Sequence, residues 1–247
     1  RRLEKEFGLR EVIIVGENSS EDGMKASLGE AAARYLEYTI KDGNIVGVSM
    51  GSTLFEVVSH VVHPAAQKVT FVPLVGGVGR VRMELHANSL AESLSRIYDG
   101  KFVPLHAPAR VSSRNIRDEL LKEDSLLPAI YLTQKLDIAV VGIGYPNEKS
   151  AIMATGYFKE NEIESLIDRK VAGELCMQFY DIYGDTAPYK DDNNVIGMDI
   201  SMLRSVPRSI GIAGGVEKLR AVRGAINGHY INTLITDIEC AEALISE

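Results

Sequence analysis

Tryptophan is absent from this 247-residue sequence, aromatic residues make up only 6%, and cysteine occurs twice, at Cys176 and Cys240. The two cysteines lie far apart and in no C-x-x-C spacing, which fits a reducing, cytoplasmic compartment. The five histidines show no metal-ligand spacing with cysteine or carboxylate, and His60 with His63 reads as a solvated helix end, so no metal is expected. No apolar run approaches the roughly 18 residues of a membrane span, and there is no signal-peptide pattern. An excess of positive charge is missing too. With 34 acidic against 27 basic residues the net charge is -7, which argues against this chain alone gripping DNA. What remains is 45% hydrophobic and 25% charged, the balance of an ordinary globular protein, long enough for one large α/β domain or two small ones and able to bury a real core.

Strand and helix patterns alternate along that chain. "EVIIV" (11–15), "NIVGVS" (44–49), "KVTFVPL" (68–74), "LDIAVVGIG" (136–144), "RSIGIAGG" (208–215) and "NTLIT" (232–236) read as strands. Helices are predicted over 24–40, after Ser52, over 84–97, after Gly215 and after Thr236, where Thr236-x-x-Glu239 has the spacing of a capping box. The near-continuous apolar strands suit a parallel sheet buried on both faces. The fold class is therefore α/β, a doubly wound, mostly parallel sheet, with the more polar stretch 145–195 as a smaller subdomain. No linker, repeat or low-complexity tract marks a second domain. The opening "RRLEKEFG" reads as the last turns of a helix closed by Gly8, and Arg1 in place of Met suggests that a segment precedes it.

Glycines gather where strands end, the edge at which such sheets bind ligands. "GVSMGST" (47–53) supports two chemistries. Gly47, Ser49 and Gly51 match the G-x-S-x-G of a nucleophile elbow, and His229 with Asp181 or Asp199 would then complete a hydrolase triad. "NGHY", however, reads as a solvated turn. Gly51, Ser52 and Thr53 equally suit a phosphate-cradling loop at a helix N-terminus, although Thr53-x-x-Glu56 also resembles a capping box. A Walker lysine is lacking, which excludes a P-loop NTPase. Lys218, after "IAGG", could bring a cation from another loop of the same edge. Gly76, Gly77 and Gly79 lack the third spaced glycine of a dinucleotide fingerprint, as do Gly142 and Gly144, so no cofactor is expected. His86, Asn88 and Glu174 stand out as polar groups in apolar neighbourhoods.

Taken together, "GVSMGST", "FVPLVGGVG", "HANSLAESL", "HAPA", "VVGIG", "IAGGVEKLRAV" and "NTLITDIECAEALI" resemble, in this order, the effector-binding domain of SorC/DeoR-type sugar-responsive transcriptional regulators. The resemblance covers nearly the whole chain. It implies a fold similar to glucosamine-6-phosphate deaminase and ribose-5-phosphate isomerase, and one effector domain over 1–247. An N-terminal helix-turn-helix domain, absent from this chain, would bind operator DNA. It also implies a homo-oligomer, dimer or tetramer, and a sugar or sugar-phosphate effector controlling oligomerisation and operator binding.

Carried over residue by residue, Ser49, Gly51, Ser52 and Thr53 match the family's phosphate loop, and Lys218 the lysine that reaches the same phosphate. Gly76, Gly77, His86, Asn88, Gly144 and Glu174 match positions around the sugar. Where some members carry a basic residue before the paired glycines, Val75 stands here, which disfavours a bisphosphate. The related deaminases supply the competing expectation of a sugar-phosphate isomerase or deaminase. Their D-G-H element is missing from "GIGYPNE", and no carboxylate follows the third strand, so the expectation is a sensor and not an enzyme.

Overall fold

The computed structural model describes residues 1–18, 20–79, 82–147 and 155–246. A short helix α1 (Arg2–Phe7) closes at Gly8, whose φ of 65° is the left-handed cap expected there. Strands β1 (Glu11–Val15), β2 (Ile45–Val48), β3 (Thr70–Pro73) and the two-residue β4 (Lys101–Phe102) follow in the first half. The second half adds β5 (Ile138–Gly142), β8 (Arg208–Ile212) and β9 (Thr233–Asp237). These seven strands form one sheet in the order β1-β9-β8-β5-β2-β3-β4, and every pairing is parallel.

Side chains alternate between two buried layers, as the two-residue period of a strand requires. Val46, Val48, Phe71, Ile138, Val140, Ile210 and Ile212 face one apolar cluster. That cluster is covered by α2 (Glu21–Thr39), α3 (Ser52–His60) and α4 (Ala87–Ile97). Val72, Leu74, Ala139, Val141 and Leu234 face the other. Residues of α6 (Leu127–Thr133), α8 (Leu219–Asn227) and α9 (Ile238–Ser246) fill that side. Helix α5 (Arg114–Leu120) lies in the stretch before α6.

The polar stretch after β5 contains α7 (Glu160–Asp168) and an antiparallel hairpin of β6 (Gly173–Leu175) and β7 (Gln178–Tyr180). Its turn residues Cys176 and Met177 both have positive φ, 50° and 64°, as a tight two-residue hairpin demands. Phe158, Ile163, Leu166, Leu175 and Phe179 join the same apolar cluster as the sheet, so the subdomain shares the main core.

Several helix starts differ from their sequence reading: α4 and α8 begin at Ala87 and Leu219, each after a 3-10 turn, over Met83–Leu85 and Val216–Lys218. The last helix is capped by Asp237 and not by Thr236. The Asp237 carboxylate accepts from the amides of Cys240 (3.3 Å) and Gly215 (3.0 Å), tying α9 to the loop after β8. Thr236 still lies within β9, and the helix begins only at Ile238, so Asp237 stands at the cap position. Helix α2 begins earlier than predicted, at Glu21, because the Ser20 hydroxyl accepts from the Gly23 amide (3.1 Å).

Candidate functional site

The strand order fixes where a ligand can enter. From β2 the chain steps outward to β3 and β4, and from β5 it steps the other way to β8 and β9. At that switch point the loops leaving the two strands diverge and open a crevice beyond their carboxyl ends. The structure holds a cleft of about 390 Å³ there, a size found for small-molecule sites. Met50–Thr53 line it after β2, Gly142–Tyr145 after β5, and Ile212, Glu217 and Lys218 after β8. Glu21 and Lys25 add the start of α2, and Glu174 comes from the hairpin.

Helix α3 starts at Ser52 with Gly51 as its N-cap, and no side chain caps it. Thr53 therefore does not form a capping box with Glu56. Gly51 has φ 125°, a backbone that a β-carbon would strain, and its amide is spent on the carbonyl of Leu85 (3.0 Å). Ser52 and Thr53, whose first-turn amides have no intrahelical acceptor, line the cleft at the positive end of the helix dipole. Ser49 lies beneath them. Its buried hydroxyl accepts from the Gly142 amide (3.1 Å), joining the ends of β2 and β5 across the switch point.

Opposite stand Lys218 and Glu174. The Lys218 ammonium donates to the carbonyl of Ile143 (3.1 Å), which leaves two of its three donors for a ligand. Burial pulls the Lys218 pKa below its ordinary value, and the Glu174 charge nearby works against that shift. For Glu174 burial pushes the carboxyl up, while the Met177 amide that it accepts (2.9 Å) and Lys218 hold it down. Glu174 is delivered by a backbone bridge in which Gly144 and Glu174 exchange both amide hydrogen bonds (3.0 and 2.9 Å). A β-carbon on Gly144 would collide with a Glu174 carboxyl oxygen, so a larger residue there would have to move the Glu174 side chain.

Of the residues singled out from sequence, Gly51, Ser52, Thr53, Gly144, Glu174 and Lys218 come together in the cleft. Gly76 and Gly77 do not line it. They pack against the loop at Ala107 and Pro108, where Gly77 donates to the Ala107 carbonyl (2.8 Å). Asn88 clamps Leu105 instead, accepting its amide (3.0 Å) and donating to its carbonyl (3.1 Å). His86 sits at the N-cap of α4, next to the Leu85 carbonyl that holds Gly51. Val75 is fully buried. His229 is exposed in the turn before β9, at the amino edge of the sheet, whereas Ser49 follows the carboxyl end of β2. The two cannot meet as a triad.

Glu21 and Lys25, an ion pair at 2.6 Å, were not singled out from the sequence. The available signal was positional: Ser20-Glu21 opens the helix after β1, at the same edge as the other strand–helix loops.

A family model described as "Putative sugar-binding domain" matches residues 1–246. The deoxyribonucleoside regulator of Bacillus subtilis (strain 168) is 27% identical over 99% of this chain and 78% of its own length. The sorbitol operon regulator of Klebsiella pneumoniae is 28% identical over 99% of this chain and 79% of its own. Among solved structures, the probable sor operon regulator from Shigella flexneri superposes with a TM-score of 0.91 at 30% identity, covering 99% of this chain and 96% of that one. The full-length sorbitol operon regulator from Klebsiella pneumoniae gives 0.88 at 28% identity, over 99% and 79%.

Proposed function

The chain belongs to this family, the sugar-binding domain of SorC/DeoR-type transcriptional regulators, and we propose that its cleft senses a sugar monophosphate without transforming it. The observation that carries this reading is the uncapped start of α3 facing the same cleft as the Lys218 ammonium. Free amides, two hydroxyls and a desolvated cation converge on one small space, which is the chemistry of phosphate capture. The sugar extends toward Glu174 and Gly144, where a carboxylate accepts from hydroxyls. Because the buried Val75 offers no second cation before the glycines, one phosphate is favoured over two.

We infer that the protein acts in the cytoplasm as part of a regulator of operator DNA. Effector binding shifts the equilibrium between oligomeric states of different operator affinity, as far as its affinities for those states differ. The test is a panel of sugars and sugar phosphates screened by thermal shift, followed by product analysis of each stabilising compound. At about 100 times its dissociation constant an effector should stabilise the fold by roughly 2.7 kcal/mol. In a chain of this size that is a rise of roughly 5 to 10 °C. The stabilising compound should be recovered unchanged, neither isomerised, deaminated nor hydrolysed. Turnover of any stabilising compound would overturn the sensor reading.

A further inference from the structure

The cleft contains a cation that the phosphate reading has not used. Lys25 lines it from α2, paired with Glu21 one turn earlier on the same helix. Two packing facts place this pair. Helices α2 and α3 leave parallel strands at the same sheet edge and run side by side. They touch where a β-carbon on Gly29 would meet Glu56 at 2.5 Å. Counting back one turn from that contact along each helix reaches Lys25 on α2 and Ser52 on α3. Lys25 is thus level with the free amides at the start of α3, and Glu21 stands a turn beyond, at the mouth of the cleft.

We propose that Lys25 is a second cation of the phosphate subsite, and that Glu21 is an internal carboxylate which an incoming phosphate displaces from it. This rests on the reading of the cleft as an anion site and adds a specificity device to it. A bound phosphate presents three oxygens, so the α3 amides, Lys218 and Lys25 can each take a separate one. Glu21 keeps Lys25 neutralised in the absence of ligand. Its carboxyl is held below the usual range, first by its hydrogen bond to Lys25 and by that charge, and then by Lys218 across the cleft. Its side chain is 72% exposed against 23% for Lys25, so Glu21 can swing into solvent while Lys25 stays in place. Such a competitor penalises weak anions, which cannot replace the carboxylate, more than a phosphate dianion, which can.

The experiment titrates inorganic phosphate, at fixed ionic strength, into the wild type and four variants. Lys25→Met should weaken phosphate about tenfold, the effect of losing a charged hydrogen bond. Glu21→Gln should tighten it roughly three- to fivefold, the scale of releasing a partly exposed ion pair. Glu30→Gln makes the same charge change on the outer face of α2, where Glu30 pairs with Arg34, and should leave binding unchanged because salt screens it. Unliganded melting temperatures of all three should stay near the wild type. Phosphate binding that is insensitive to Lys25→Met, or weakened by Glu21→Gln, would overturn the inference. If Lys218→Ala still weakened phosphate in that case, the α3–Lys218 site would stand alone. A wild-type protein that binds no phosphate at millimolar concentration would overturn both.

Discussion

Lys218→Ala should cost a phosphorylated sugar effector roughly 1.5–3 kcal/mol of binding free energy, the scale of a charge-assisted hydrogen bond. The matching unphosphorylated sugar should bind almost as before. The unliganded melting temperature should barely change, because the Lys218 ammonium is held against the desolvation cost of its own burial. Proton linkage gives a second readout. A bound phosphate favours the charged lysine, so the contribution of Lys218 is fully present below its unliganded pKa. It declines as pH rises from that pKa, which burial places below the ordinary lysine value, and is lost at the higher pKa of the bound lysine. Wild-type affinity should therefore decline on the alkaline side, and Lys218→Ala should remove that decline. At the acid end both proteins should lose affinity near pH 6, where a phosphate ester takes up its second proton. Calorimetric titration across pH checks both limbs. An equal loss for the phosphorylated and free sugars would show that Lys218 does not read the phosphate.

Gly29→Val should be strongly destabilising, by about 3 kcal/mol, the upper range for overpacking a tight contact. For a chain of this size that lowers the melting temperature by roughly 6 to 12 °C. The cause is backbone contact and not helix propensity. A β-carbon at residue 29 would lie 2.7 Å from the Glu56 carbonyl carbon and 2.9 Å from its oxygen, so α2 and α3 would have to part. Gly29→Ala separates the two effects by sign. Propensity alone would stabilise the helix by about 1 kcal/mol, whereas the packing predicts a net loss. Thermal denaturation of both variants settles which term wins.

The repeating core of this fold is legible because its strands are buried on both faces and its glycines punctuate their carboxyl ends. Strands β2, β5, β8 and β9, and the helices between them, carry long apolar signals that outweigh local ambiguity. The hairpin β6–β7 and helices α5 to α7 are short, and their apolar residues serve a core shared with the sheet, so no segment shows an independent period. A two-residue strand such as β4 has no period at all.

At the site, Gly51, Ser52, Thr53, Gly144 and Lys218 were readable in loops ending strands of one sheet edge, and Glu174 as a polar group in an apolar neighbourhood. Asn88 was legible as a polar group within apolar sequence, but its use in holding Leu105 depends on a contact 17 residues away. Glu21 and Lys25 look like an ordinary surface pair on an amphipathic helix. Only the close approach at Gly29, a three-dimensional fact, brings them to the cleft.

The central claim is that the cleft recognises a phosphate group at the start of α3. Its most direct test is calorimetric comparison, on the wild-type protein, of the most stabilising sugar phosphate with the same sugar lacking the phosphate. Two charge-assisted contacts at roughly 1.5 kcal/mol each predict about a hundredfold preference for the phosphorylated form. Equal affinities for the two would contradict it.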